Sequence, residues 1–155
     1  MRNTALIAIA ALTVGSSVFA QSQTEKEVTQ TIIASNEYTV KNLKTSIDDY
    51  SAKGALEFWS SGGLLQEIAP NRPADEYEAF ALTPKHIRVL TLVDGQAAVA
   101  HYYAEGSMKP KGAAAVAHYL TRVTQVFVKE GGKWKVRSSH FSPIAGGSGT
   151  SQTIQ

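Results

Sequence analysis

The chain has 155 residues, 15 of them Lys or Arg and 13 Asp or Glu, with 43% hydrophobic positions and no Cys. That is one domain, or one domain plus a targeting segment, with enough apolar content for a core. Without Cys there is no disulfide scaffold, thiolate nucleophile, thiolate zinc site or lipidated N-terminal Cys, and a net charge of +2 without a dense basic cluster argues against nucleic acid.

Residues 1–20 have the order of a secretory signal. Arg2 precedes an apolar run over residues 5–14, and Gly15, Ser16 and Ser17 break it. Val18 and Ala20 are small enough for a signal-peptidase site. The run is shorter than the ~20 residues a membrane span takes. Cleavage after Ala20 predicts a secreted or periplasmic chain with no membrane attachment, carrying its domain over residues 21–144 and a disordered tail over residues 145–155.

Thr24 with Glu27 three positions on forms a capping box, so a helix is expected to start there. Val28, Ile32, Val40, Leu43 and Ile47 continue one apolar helical face. A second short helix is expected over residues 52–59. Ser60 to Gly63 break the pattern, residues 64–68 read as a short strand, 70–73 as a loop and 74–81 as further helical turns. From His86 the period becomes two. Residues 86–93 and 96–103 flank Asp94-Gly95, a strong hairpin signal, and residues 108–112 read as a loop. Residues 115–129 and 133–141 flank Glu130-Gly131-Gly132, a second hairpin. Helices followed by antiparallel strands predict an α+β fold.

Strand parity then sorts the side chains. With Lys129 opposite Lys133 around a three-residue loop, Thr124 faces Ser138 and Arg122 faces His140, all on the side of Val126, Val128, Trp134 and Val136. In the first hairpin Ile87, Val89, Thr91, Ala98, Ala100 and Tyr102 share a face, and Leu90, Leu92, Ala97 and Val99 the other. Both faces are apolar, so one is expected to take the helices and the other a second subunit.

The stretches VDGQAAVAHYY (93–103) and TRVTQVFVKEGGKWKVRSSHFSPI (121–144) resemble the nuclear transport factor 2-like superfamily. The nearer likeness is to SnoaL-like domains and to the calcium/calmodulin-dependent kinase association domain type. The resemblance implies a cystatin-like α+β roll: a cone-shaped curved antiparallel sheet wrapped around N-terminal helices, with a pocket inside and homodimers through the sheet. Superfamily members include isomerases, cyclases, dehydratases and noncatalytic assembly domains, so fold alone does not give function.

The parity argument makes Arg122 the candidate anchor of an anionic ligand, since a buried guanidinium needs an anion or several acceptors. His140 beside it is the candidate acid/base. A carboxylate from the helical half (Asp48, Asp49 or Glu57) is the alternative partner of Arg122. Tyr102, Thr124 and Ser138 are expected to line the same pocket, with Tyr50 and Trp59 as walls. Glu105 has the parity of His101 and faces away. His101 is placed opposite to His140, and His118 four residues from Arg122, so the histidines do not converge on a metal. Neither metal nor cofactor is expected. Three functions stay open: a binding domain for a small, anionic organic molecule; an isomerase-, cyclase- or dehydratase-type enzyme using His140; and a dimerising assembly module.

Overall fold

The computed structural model describes residues 21–144 and Gly147. The expected export signal and all but Gly147 of the expected tail lie outside the described residues.

One long helix, α1, runs Gln23–Asn42. Its N-cap is Ser22, two positions before the expected Thr24. The Ser22 hydroxyl accepts from the Glu25 amide, and the Glu25 carboxylate accepts from the Ser22 amide, a reciprocal capping box. Thr24 does other work: its hydroxyl donates to Asp94 at 2.6 Å and accepts from the Gly95 amide at 2.8 Å, tying the helix start to the first hairpin turn. The helix stops where Leu43 takes a left-handed conformation and returns its amide to the Thr39 carbonyl. A single 3-10 turn follows at Ile47–Asp49.

Six strands form one sheet: β1 (Ala55–Phe58), β2 (Gln66–Ile68), β3 (Tyr77–Val93), β4 (Ala97–Pro110), β5 (Val116–Glu130) and β6 (Lys133–Pro143). Their order is β2-β1-β6-β5-β4-β3, and all pairs are antiparallel except β1 with β6. The α+β expectation therefore holds, with one α-helix among the described residues where several were expected. Residues 52–59 and 74–81 supply strands β1 and the start of β3 where helices were expected. In β1, Ala55 and Glu57 are buried and Leu56 and Phe58 exposed. That is strand alternation with the polar member inside.

The sheet is curved and unclosed. Pairing shifts beside two residues of positive φ. His86 sits at φ +55 where pairing shifts between Lys85 and Arg88. Gly106, opposite Leu82, has φ +146, and a Cβ there would lie 2.0 Å from the Ala81 carbonyl oxygen. Only a residue without a side chain lets the two strands approach this closely.

Helix α1 packs on the concave side. Val28 and Ile32, one turn apart, meet Ala98, Ala100, Phe127, Trp134 and Val136. A second cluster of Leu82, Met108, Val116 and Tyr119 fills the other end. Among the described residues no helix is long and apolar enough to cross a membrane.

Candidate functional site

The space between α1 and the sheet is not wholly filled. A cavity of about 180 Å³ lies there, with Ile32, Phe80, Leu82, Tyr102, Phe127 and Phe141 among its apolar walls. Polar groups reach it from three directions: Asp49 and Tyr50 from the segment after α1, Asn36 and Thr39 from α1 itself, and Gln125 from β5. Among the described residues no Lys or Arg lines it.

The polar groups are held in place. Tyr102 donates to Gln125 Oε1 at 2.8 Å, and Gln125 Nε2 donates to Ser139 Oγ at 3.3 Å. Tyr50 donates to Glu57 Oε1 at 3.1 Å, and the Trp59 indole donates to Glu57 Oε2 at 2.9 Å. Glu57 is 3% exposed, so these two donors offset much of the cost of burying its carboxylate. Arg72 stacks over the Tyr50 ring at 5.2 Å and pairs with Asp75. Burial, then the charge of Glu57, pushes the Tyr50 hydroxyl well above the ordinary tyrosine value. Burial does the same for Tyr102. Both phenols are therefore fixed neutral hydrogen-bonding groups.

Asp49 is the ionisable group on the cavity wall. Burial raises its carboxyl above the ordinary aspartate value, and a 2.6 Å hydrogen bond from Ser35 partly opposes that shift. A carboxyl tuned in this way can exchange a proton with a bound molecule.

Tyr102 and Tyr50 thus stand inside the cone, as expected. Arg122 and His140 do not. Both are exposed on the convex face. Arg122 donates to Ser142 Oγ at 2.9 Å, and His140 packs its ring edge against Phe58 at 5.7 Å. Thr124 lies on the same outer side, directly opposite His140, and its hydroxyl meets His101 Nδ1 at 3.1 Å. His101 and His140 therefore share a face, contrary to the parity expectation. Ser138 sits in the neighbouring outer row between Leu56 and Val126, and Trp59 is 38% exposed beside Glu57, outside the cavity wall. Glu105 faces outward, paired with Lys85 at 2.5 Å. Among the described residues no group of His, Asp and Glu is placed to hold a metal.

Two features reverse the parity. The hairpin turn has two residues, Gly131 and Gly132, both at positive φ, so Glu130 pairs with Lys133 and Lys129 with Trp134. Further along, Phe127 pairs with Val136 but Val126 with Ser138, which leaves Arg137 over as a bulge. The first feature moves odd-numbered β5 residues inside; the second keeps Ser139 and Phe141 inside with them. Gln125 and Ser139 were missed for this reason. The Gly-Gly pair was the available signal, since a two-residue turn of this hand needs positive φ at both positions.

The comparisons agree with this architecture. No curated protein matches the chain. A calcium/calmodulin-dependent kinase II association domain from Exiguobacterium sibiricum is similar over 77% of this chain and 92% of its own, with TM-score 0.55 and 9% identity. A nuclear transport factor 2-like protein of unknown function from Pseudomonas putida gives 84% and 96%, TM-score 0.53 and 16% identity. Another, from Prochlorococcus, gives 82% and 94%, TM-score 0.52 and 20% identity. These likenesses show a shared fold. A family model described as the SnoaL-like domain matches residues 28–146, from the second turn of α1 to just past the end of β6. The chain belongs to the SnoaL-like domain family, and its fold is that of the nuclear transport factor 2-like proteins.

Proposed function

We propose that the chain is an exported SnoaL-like binding domain that takes a compact organic group into the cone. The observation that carries this is the cavity of about 180 Å³, apolar with a few convergent polar groups. Its wall holds the Asp49 carboxyl and, among the described residues, no Lys or Arg, which disfavours an anion there and suits a group able to donate a hydrogen bond; we take that group to be uncharged. The anionic ligand expected on Arg122 finds no cation in this cavity.

Phenol is a suitable probe: a flat apolar ring with one hydroxyl. Titrated into the protein, it is expected to bind and to raise the melting temperature. Ala104 lines the cavity, and Ala104→Leu is expected to fill it and abolish both effects. A panel of phenol, indole and benzamide that leaves the wild-type melting temperature unchanged at millimolar concentration would overturn the reading. Export rests on residues 1–20, and N-terminal sequencing of protein recovered outside the cytoplasm should begin at Gln21.

One observation favours a second reading, assembly through the convex face. The row Leu56, Ser138, Val126, Val99, Leu90 crosses five strands there, and Leu56 and Leu90 are 42% and 59% exposed. A second copy of the chain is the partner such a row suits.

A further inference from the structure

The cone cavity shares a wall with a second hollow. Thr31, Ser35 and Asp49 line both. The second hollow is an open groove of about 630 Å³ between α1 and the turn end of the β5–β6 hairpin. It carries four lysines: Lys26 from α1, Lys129 from β5, and Lys133 and Lys135 from β6.

Two of these cations are already committed. Lys129 pairs with Glu27 at 2.6 Å, and Lys135 donates to the Asp48 carbonyl. Glu27 also accepts from the Trp134 indole at 2.9 Å and from Gln23 Nε2 at 3.1 Å. The side chains of Lys26 and Lys133 have no hydrogen-bond or ion-pair partner among the described residues. The groove thus offers two free cations beside a cavity that offers none.

Size points the same way. The cone cavity alone falls short of the ~300–1,000 Å³ usual for small-molecule sites, while the groove beside it lies within that range. Resting on the reading that the cone takes an organic group, we infer that the ligand is elongated and amphipathic. Its uncharged end enters the cone, and its anionic end, a carboxylate or a group of like charge, lies in the groove on Lys26 and Lys133. The ligand's middle crosses the shared wall, where the Ser35–Asp49 hydrogen bond stands. Three carboxylates line the groove: Glu27, Asp49, which accepts from Ser35, and Asp48, which lies within 4.0 Å of Lys135.

The test compares phenol with a homologous series running from phenylacetate to phenylhexanoate, by calorimetry at low salt on the chain from Gln21 onward. Affinity is expected to pass through a maximum along the series, at least about ten-fold tighter than phenol at the best length. Lys26→Gln with Lys133→Gln is expected to remove that gain and leave phenol binding unchanged. Both lysines are exposed, so the variant keeps the fold. If phenol binds and no carboxylate in the series gains, or the double variant keeps the gain, the two-part ligand is overturned and the cone reading stands. If neither phenol nor any carboxylate binds, the cone reading falls with it.

Discussion

Tyr102 and Gln125 face each other inside the cone, the phenol donating to the amide oxygen at 2.8 Å. The bond joins neighbouring strands β4 and β5 on the concave side. Gln125 in turn donates to Ser139 on β6, so one short chain of polar contacts spans three strands. Each member is oriented by the next, which presents a fixed pattern to the cavity.

Tyr102→Phe tests that chain. It removes the donor and leaves Gln125 Oε1 without a protein partner. The expected cost is about 1–2 kcal/mol of unfolding free energy, with the fold kept. Pairing it with Gln125→Leu removes both partners and should cost less than the sum of the two single changes. A double-mutant cycle by urea denaturation measures the difference, and simple additivity would show that the bond contributes nothing.

How much of this was legible in the sequence depends on which turn set the register. A two-residue turn at Asp94-Gly95 puts Ala98, Ala100 and Tyr102 on the inner face, and all three are there, although the turn holds three residues: Val93 pairs with Ala97, and a shift between Thr91 and Val93 restores the expected pairing of Thr91 with Ala98. Gly131-Gly132 admits a loop of two or three residues, and one residue of slip turns every later side chain over. The Arg137 bulge adds a second change of parity that no hydrophobic pattern announces. Strand β1 was illegible for a different reason. It buries Glu57 and exposes Leu56 and Phe58, the inverse of the usual alternation, because the tyrosine and tryptophan that satisfy Glu57 come from Tyr50 and Trp59 on either side of it.

Gly106→Ala tests the closest approach between β3 and β4. The new Cβ would lie 2.0 Å from the Ala81 carbonyl oxygen, and φ +146 is closed to other residues. Both neighbours are backbone, so no side chain can swing aside. The expected loss is about 3 kcal/mol or more, read as a lowered denaturation midpoint. Gly95→Ala is the control, because Gly95 has a positive φ but open space around it. It should cost about 1 kcal/mol. Equal losses at the two sites would show that strain at φ, and not the contact, decides.

Asp49→Asn tests the raised carboxyl on the cavity wall. A carboxyl whose folded pKa lies above its unfolded value opposes folding wherever it must ionise. Above the folded value the native state carries the cost of a buried charge; below the unfolded value of 3.8 that cost is absent. Asparagine keeps a hydrogen-bonding group toward Ser35 and carries no charge. The variant is therefore expected to melt above the wild type near neutral pH. The gap should close as pH falls below the ordinary aspartate range. A variant less stable than wild type at neutral pH would mean that the ionised carboxylate is well accommodated.

Leu90→Glu tests the convex face. Leu90 ends a row that crosses five strands and is apolar except for Ser138, and it is 59% exposed in the single chain. In a monomer, replacing so exposed a leucine changes stability by less than about 0.5 kcal/mol. In a dimer closed by two-fold symmetry the residue is met twice, so each association buries two carboxylates against an apolar row. Arg88 and His101, in the adjacent row, stand beside one end of it. They are too few to neutralise both new charges across a symmetric contact. Light scattering at micromolar concentration is expected to give a dimer mass for the wild type and a monomer mass for Leu90→Glu, at nearly equal melting temperatures when each is extrapolated to low concentration. A monomeric wild type removes assembly through this face. A dimer that survives the substitution moves it to another surface and leaves the apolar row without a partner.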